Sequence, residues 1–113
     1  MTLHATIYHN PRCGTSRSVL ALLEAAGADV TVIEYLKHPP TVADLSRLYA
    51  VAGMTPREGL RMTEPDAKAL DGADDATILE AMAINPIIIQ RPLVETEKGV
   101  VLARPPETVR TIL

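Results

Sequence analysis

The sequence predicts an α/β fold in which helices pack around one mixed sheet. A strand, a helix and a second strand follow one another in the first third of the chain, and helix-capping patterns fill the middle. Two short β-prone segments flank a glycine near the end. The 113 residues, 47% of them hydrophobic, suffice for one core, so we expect a single domain over residues 1–113.

The first third of the chain predicts a parallel β-α-β unit. Residues 5–8 form a β-prone run that ends before the break at Pro11. Residues 15–26 carry apolar side chains at helical spacing and stop at Gly27, and residues 30–35 are typical of a second strand. A right-handed connection places the end of the first strand and the start of its helix at the carboxyl edge of the sheet, where ligand sites form in open α/β sheets.

The middle of the chain, about residues 40–85, predicts a helical insertion that covers this edge. Thr41 and Asp44 match a capping-box pattern at the start of one helix. A Thr-Pro pair predicts a second helix over residues 55–61, because Thr is a good N-cap and Pro suits the first helical position. Helical spacing after two aspartates predicts a third helix over residues 76–84.

The last part of the chain predicts strands and a terminal helix. Residues 87–89 are apolar and β-branched, as in a buried strand, and residues 93–96 and 100–103 form a hairpin pattern around Gly99. A final helix is predicted to begin at Pro105. The order β-α-β, helices, β-β-α is that of a thioredoxin-like fold with a mixed four-stranded sheet and a helical insertion between strands 2 and 3.

Composition excludes several classes of partner and location. The net charge of −3 gives no general attraction to nucleic acid or to anionic membranes, and 3% aromatic residues argue against a base-stacking surface. One cysteine cannot form an internal disulfide, which favours a reducing compartment. The N-terminal residues lack the basic region and apolar run of a signal peptide, and no apolar stretch is long enough to span a membrane. We therefore expect a cytoplasmic protein.

Cys13 is the only cysteine and lies where the first strand ends and a helix begins. A cysteine reacts as its thiolate, which the helix dipole and the flanking Arg12 and Arg17 would favour. Backbone N–H groups at the helix start would also hold an anion beside the sulfur. A free cysteine is often an inert core residue instead, but the neighbouring Gly14 and Thr15 belong to a loop-forming, polar stretch, which favours a reactive thiol.

Four separated motifs resemble those of the glutaredoxin-coupled arsenate reductases, and the similarity runs over essentially the whole chain. These motifs are His9-Asn10-Pro11-x-Cys13-Gly14-Thr15-Ser16-Arg17, in which x is any residue, Leu60-Arg61, Asn85-Pro86-Ile87 leading into Arg91-Pro92-Leu93, and Arg104-Pro105.

The resemblance implies that Cys13 attacks arsenate, or a related oxyanion, which Arg61, Arg91 and Arg104 bind. Glutathione would then act as co-substrate, with no bound cofactor, and leave a mixed disulfide that glutaredoxin reduces. External thiols are needed because the chain has no second cysteine. Resemblance to thioredoxin-like proteins also implies a cis peptide bond before Pro92.

Other monothiol or metal chemistries do not match the sequence. A low-molecular-weight phosphatase loop needs an arginine six positions after its cysteine, where this chain has Val19. A dithiol motif needs a second cysteine where the chain has Ser16. Three scattered histidines give no metal-ligand spacing, and no Gly-rich phosphate loop is present, so we expect no metal site.

Each supporting residue also has a structural interpretation. His9 could stabilise the thiolate or be an ordinary loop histidine, and Arg17 could simply project from the first helical turn. Thr15 and Ser16 are expected to act first as helix caps and second as anion-contacting hydroxyls.

The arginines too could be structural. Arg61 alone would be a cation at a helix end, and Arg91 and Arg104 alone would be surface charges. We expect Arg47 and Arg110 on outer helical faces. A non-catalytic regulator of the same fold, binding a protein such as RNA polymerase, is the alternative function, but it would not need three arginines around an oxyanion.

Overall fold

The computed structural model describes residues 2–113 and contains one four-stranded sheet. Its strands are β1 (His4–His9), β2 (Asp29–Glu34), β3 (Leu93–Thr96) and β4 (Gly99–Leu102). They lie in the order β2-β1-β3-β4, with β1 parallel to β2 and β3 antiparallel to both β1 and β4. The predicted mixed sheet is therefore confirmed.

Within residues 2–113, four α-helices and three 3₁₀ segments connect and flank the strands. The first helix joins β1 to β2, and the other three lie between β2 and β3, where the helical insertion was predicted. None of the helices within residues 2–113 has both the length and the apolar character needed to cross a membrane. The α-helices are α1 (Gly14–Ala25), α2 (Val42–Ala52), α3 (Pro65–Lys68) and α4 (Asp75–Ile84), and the 3₁₀ segments are Arg57–Gly59, Pro86–Ile88 and Pro106–Ile112.

Local signals set the bounds of α2. The Asp44 N–H donates to Thr41 Oγ1 at 3.1 Å, and the Thr41 N–H donates to Asp44 Oδ2 at 3.2 Å, which completes the predicted capping box. The helix ends at Gly53, whose φ of 69° lies in the left-handed region that favours glycine. The start of α2 was predicted from the sequence, whereas its end at Gly53 was not.

The prediction of a helix over residues 55–61 is wrong. Only Arg57–Gly59 make a single 3₁₀ turn, after which Leu60 is extended and forms an isolated bridge with Ile89. The Arg61 N–H donates to the Ile88 carbonyl at 2.8 Å. Leu60 is buried, so pairing with a distant segment satisfies its backbone inside the core and outweighs the local helix signal. The four-residue helix α3 that follows was not predicted.

The prediction of a strand over residues 87–89 is also wrong. Pro86–Ile88 form a 3₁₀ turn, and Ile89 forms the isolated bridge with Leu60 without extending into a strand. Pro86 has no N–H to donate to a ladder, and the Ile88 N–H instead donates to the Asn85 carbonyl at 3.3 Å. Likewise, the predicted terminal helix is present as the 3₁₀ segment Pro106–Ile112.

Two hydrophobic cores lie on opposite faces of the sheet because side chains alternate along β1. Ile7 faces α1 and the C-terminal segment, whereas Tyr8 faces the helical insertion. The α1-side core is formed by Ala5, Ile7, Val19, Leu23, Val94, Ala103, Val109 and Ile112. The insertion-side core is formed by Tyr8, Tyr35, Leu45, Leu48, Tyr49, Leu60, Ala67, Ile78, Leu79, Met82, Ile88, Ile89, Leu93 and Val100.

Candidate active site

Cys13 lies just beyond the carboxyl end of β1 and is the N-cap residue of α1. Its N–H donates to the Asn10 carbonyl at 3.0 Å, and its carbonyl accepts from the Arg17 N–H at 3.0 Å. The first bond closes the turn after β1, and the second is the first bond of the helix. The side chain is half-buried, so the turn presents the sulfur at the surface beside the N-terminus of α1.

The Cys13 thiol is unusually acidic in this setting. Burial raises its pKa, but the backbone N–H of Ser16 and the side chains of Arg91 and Arg104 together lower the pKa to about 7. The Nη1 atom of Arg104 lies 3.8 Å from the sulfur. A large fraction of the protein therefore carries the nucleophilic thiolate at neutral pH.

Arg91 and Arg104 reach the sulfur from the two strands of the C-terminal hairpin. Arg91 comes shortly before β3, Arg104 comes shortly after β4, and the pairing of Leu93 with Leu102 keeps these two ends together. Leu93 also pairs with Tyr8, so the same edge lies beside the carboxyl end of β1. Arg104 Nη1 further donates to the Arg91 carbonyl at 2.9 Å, which fixes one arginine on the backbone of the other.

Both of these arginines precede a proline in the cis form. The Arg91–Pro92 and Arg104–Pro105 peptide bonds are cis, and Pro92 is buried. The resemblance implied the cis state only for the first of the two.

Arg61 approaches the same edge from the helical insertion and is held by its own partners. Its Nη1 donates to Gln90 Oε1 at 3.0 Å, and its Nε lies 3.9 Å from a Glu64 carboxylate oxygen. No hydrogen bond joins it to Cys13 within the described part of the chain. Arg61 is thus tied to the residue before Arg91, while Arg91 and Arg104 are the arginines beside the sulfur.

A buried hydrogen-bond network fastens the turn between β1 and α1. His9 Nδ1 lies 2.6 Å from Ser16 Oγ, which also accepts from the Asn10 N–H at 3.1 Å. All three residues are buried. Burial lowers the pKa of His9, an effect that Glu34 opposes and Arg17 reinforces, so the ring is largely uncharged at neutral pH. In this geometry the His9 ring forms a hydrogen bond with the Ser16 hydroxyl and so helps to fix the turn.

Ser16 and Thr15 do not cap α1 as expected. The N-cap is Cys13, without a side-chain capping bond, so both residues lie inside the helix. The physical reason is the tight turn from Asn10 to Cys13, which starts the helix earlier than the apolar pattern indicated. Gly14 is the first helical residue and is exposed.

Two further arginines flank the turn without a hydrogen bond to the thiol. Arg17 Nη1 donates to the Pro11 carbonyl at 2.9 Å, so this side chain folds back and braces the turn. Arg12 is exposed, and its N–H donates to Asn10 Oδ1 at 3.0 Å. Both the backbone and the side chain of Asn10 therefore form hydrogen bonds that stabilise the turn.

Sequence reasoning missed two residues of the site, Gln90 and Tyr35. Gln90 positions Arg61, and only the pairing of distant loops makes that contact visible. Tyr35 directly follows β2 at the carboxyl edge, a position that could have drawn notice from the β-α-β pattern alone.

The arrangement can bind a tetrahedral oxyanion beside a nucleophile. Guanidinium groups stay protonated and offer paired N–H donors, and free N–H groups at a helix start also attract anions. Within residues 2–113 no group of three or more His, Cys, Asp or Glu side chains is placed to hold a metal ion. The described residues place one acidic thiol beside cationic side chains.

The chain is similar to several known proteins. The ArsC family model matches residues 8–112. The arsenate reductase ArsI2 of Synechocystis sp. is 50% identical over 111 residues, covering 95% of this chain and 79% of that protein. The arsenate reductase of Rhizobium meliloti is 46% identical, covering 96% of this chain and 80% of that protein. The solved structure of an arsenate reductase from Vibrio cholerae superposes with a TM-score of 0.92 at 40% identity, covering 100% of both chains.

Proposed function

The chain belongs to the ArsC family, and we propose that it reduces arsenate to arsenite through a thiol reaction centred on Cys13. One observation supports the proposed mechanism in addition to the family membership. The single cysteine has a pKa of about 7 and lies beside Arg91 and Arg104 at a helix start. Nucleophile and anion-binding groups thus share one edge of the sheet.

Cationic groups are needed because both reactants are negative. Arsenate carries one or two charges at neutral pH, so its approach to a thiolate is opposed unless positive charge surrounds the site. Arg91 and Arg104 supply that charge beside the sulfur, and Arg61 supplies it from the insertion side. The forked guanidinium groups also orient the oxygens for in-line attack.

The first step forms a covalent adduct. The Cys13 thiolate attacks arsenic, and an arsenate oxygen leaves as hydroxide or, after protonation, as water. Arsenic remains in its +5 state in this adduct. The Ser16 N–H and the two nearby arginines stabilise the thiolate beforehand, which keeps it available at neutral pH.

The second step transfers two electrons to arsenic. Glutathione thiolate attacks the Cys13 sulfur, a disulfide bond forms, and the electron pair of the sulfur–arsenic bond goes to arsenic, which leaves as arsenite. Because Cys13 is the only cysteine, no internal thiol can reduce this mixed disulfide. We assign that task to glutaredoxin, and we place the reaction in the reducing environment of the cytoplasm.

A coupled assay tests the proposed activity. Purified protein with arsenate, glutathione, glutaredoxin, glutathione reductase and NADPH should give arsenate-dependent NADPH oxidation, and Cys13→Ser should abolish it. Absence of turnover over a wide arsenate range, with folded protein and an active coupling system, would reject the enzyme and leave the non-catalytic regulator as the better account.

Substitution of the arginines tests oxyanion binding. Replacing Arg91 or Arg104 by Ala should cost a charge-assisted hydrogen bond, about 1.5–3 kcal/mol or roughly ten- to two-hundred-fold in kcat/KM for arsenate. Arg61→Ala should act in the same direction, because Arg61 supplies positive charge from the insertion side. Replacement by Lys should restore only part of the loss, because lysine keeps the charge but lacks the fork.

Arg110 provides the matched control for these variants. Arg110 is exposed on the C-terminal 3₁₀ segment, so Arg110→Ala should leave kcat/KM within about two-fold of wild type. Arg47 is a poorer control than the sequence indicated, because its Nη1 and Nη2 bind Glu95 at 2.6 Å and 3.0 Å. Equal effects at Arg91, Arg104 and Arg110 would mean that no oxyanion pocket exists.

A further inference from the structure

Three buried side-chain polar atoms have no hydrogen-bond partner among the described residues: Tyr35 Oη, Arg61 Nε and Arg91 Nε. Native proteins pair nearly all such atoms, because an unpaired buried group loses its hydration without compensation. Two of the three belong to the arginines assigned to oxyanion binding. The third, on Tyr35, has no role in the chemistry described so far.

The topology places Tyr35 beside the site. Strands β1 and β2 are parallel and pair His9 with Glu34, so the next residues along, Asn10 and Tyr35, are level at the carboxyl edge. Tyr35 is only 1% exposed and packs in the insertion-side core with Leu60, the neighbour of Arg61.

Electrostatics agree with that placement. Burial raises the pKa of Tyr35, Arg91 and the Asn10 side chain act against the rise, the Cys13 thiolate adds to it, and Arg61 again opposes it. The phenol therefore lies close to the charged groups of the site and to the Asn10 amide, although no described residue meets hydrogen-bond distance and angle to its oxygen.

The hydrogen-bonding capacities of these atoms are complementary. An arginine Nε–H can only donate, whereas a phenol hydroxyl can both donate and accept. Arg61 already has Gln90 and Glu64 to hold it. Among the described residues the Arg91 side chain acts on the Cys13 sulfur, but no carboxylate or amide acceptor holds its guanidinium, and its Nε–H has no partner.

We propose that Tyr35 is a positioning residue for Arg91: with the oxyanion bound, the Tyr35 hydroxyl accepts a hydrogen bond from Arg91 Nε–H and leaves the terminal nitrogens for the substrate. The proposal rests on the proposed function, because it assumes that Arg91 binds an oxyanion. Since the hydroxyl is sealed from solvent, it acts through the arginine and not by touching the substrate itself.

Tyr35→Phe tests this role in the full chain, with Tyr49→Phe as matched control. Tyr49 is equally buried, but its hydroxyl donates to the Met82 sulfur at 3.6 Å inside the insertion-side core. We expect Tyr35→Phe to lower kcat/KM for arsenate by about ten-fold and Tyr49→Phe to change it by less than about two-fold. Tyr35→Phe should not lower the melting temperature, because it removes an unpaired polar atom. A clear loss of thermal stability would show that the hydroxyl is already paired and would overturn the proposal.

A double-mutant cycle separates positioning from a general structural role. If Tyr35 acts through Arg91, Tyr35→Phe should have no further effect on kcat/KM once Arg91 is Ala. Additive effects would overturn the proposal, as would wild-type kcat/KM in the single Tyr35→Phe variant.

Calorimetric titration with arsenate tests the proposal apart from turnover. In a Cys13→Ser background, Tyr35→Phe should weaken arsenate binding by about ten-fold. Should the wild-type protein fail to reduce arsenate, the proposed function falls, and this titration still decides the role of Tyr35. Equal affinities with and without the hydroxyl would overturn it.

Discussion

The acidity of Cys13 comes from groups that lie far apart in the chain. The Ser16 N–H belongs to the same helix start, whereas Arg91 and Arg104 come from the two ends of the C-terminal hairpin. Burial by itself would raise the thiol pKa, so the arginines and the N–H must outweigh desolvation. A reactive cysteine here depends on several groups that meet at the Cys13 sulfur. The local sequence around Cys13 specifies only some of these groups.

Alkylation of Cys13 by iodoacetamide should show this dependence on pH. The thiolate fraction increases as pH rises through the pKa, so the rate should increase with a midpoint at about pH 7 and level off above it. Arg104→Ala should move the midpoint upward, because it removes a group that stabilises the charged form. Arg110→Ala should leave it unchanged. A wild-type midpoint at the ordinary thiol value would contradict the electropositive site.

At the scale of elements, the turn between β1 and α1 decides where the thiol points. Its rigidity comes from the Ser16 hydroxyl, which connects His9 to the Asn10 backbone inside the protein. Arg17 closes the turn from outside through the Pro11 carbonyl. Helix α1 has no side-chain capping bond at its N-terminus. These hydrogen bonds instead stabilise the turn at which β1 ends and α1 begins.

Ser16→Ala should therefore destabilise the protein despite the higher helix propensity of alanine. It leaves the buried His9 Nδ1 and Asn10 N–H unpaired, which we expect to cost about 1–3 kcal/mol in the free energy of unfolding. Ser18, exposed on the same helix, is the matched control, and Ser18→Ala should stay within about 0.5 kcal/mol of wild type. Urea denaturation measures both. Equal stabilities of the two variants would show that the network carries little energy.

At the scale of the whole molecule, the sheet separates two cores but shares β1 between them. The site lies at the carboxyl edge of this central strand and takes residues from both sides of the fold. Cys13 comes from the α1 side, Arg61 from the insertion, and Arg91 and Arg104 from the hairpin. Loss of either core should therefore disassemble the site, and we expect one cooperative unfolding transition.

Substitutions in the two cores test this coupling. Leu23→Ala in the α1-side core and Leu48→Ala in the insertion-side core should each cost about 2–5 kcal/mol, because both side chains are fully buried. Val51→Ala, exposed on α2, should change stability by less than about 0.5 kcal/mol.

Two spectroscopic probes report on different parts of the fold. All three tyrosines belong to the insertion-side core, so tyrosine fluorescence follows that core, whereas far-UV circular dichroism follows all helices. Coincident transitions are expected in wild type and in each variant. Separate transitions would mean that the insertion unfolds independently of the rest.

Short-range signals in the sequence determined most of the architecture. The capping box at Thr41, the strands β1 and β2 and the hairpin around Gly99 each depend on hydrogen bonds or periodicity within a few residues. The motif around Cys13 likewise predicted a cysteine at a helix start, and the structure places Cys13 at the N-cap of α1.

Tertiary structure alone decided the features that depend on distant partners. Leu60 is extended because Ile89 pairs with it, and the Arg61 side chain is held because the distant Gln90 accepts its hydrogen bond. Pairing partners, hydrogen-bond acceptors and burial at the edge of the sheet come from segments far apart in sequence, and no local pattern encodes them. The unpaired hydroxyl of Tyr35 is of this kind, since only the folded arrangement brings it to the arginines that bind the oxyanion in our proposal.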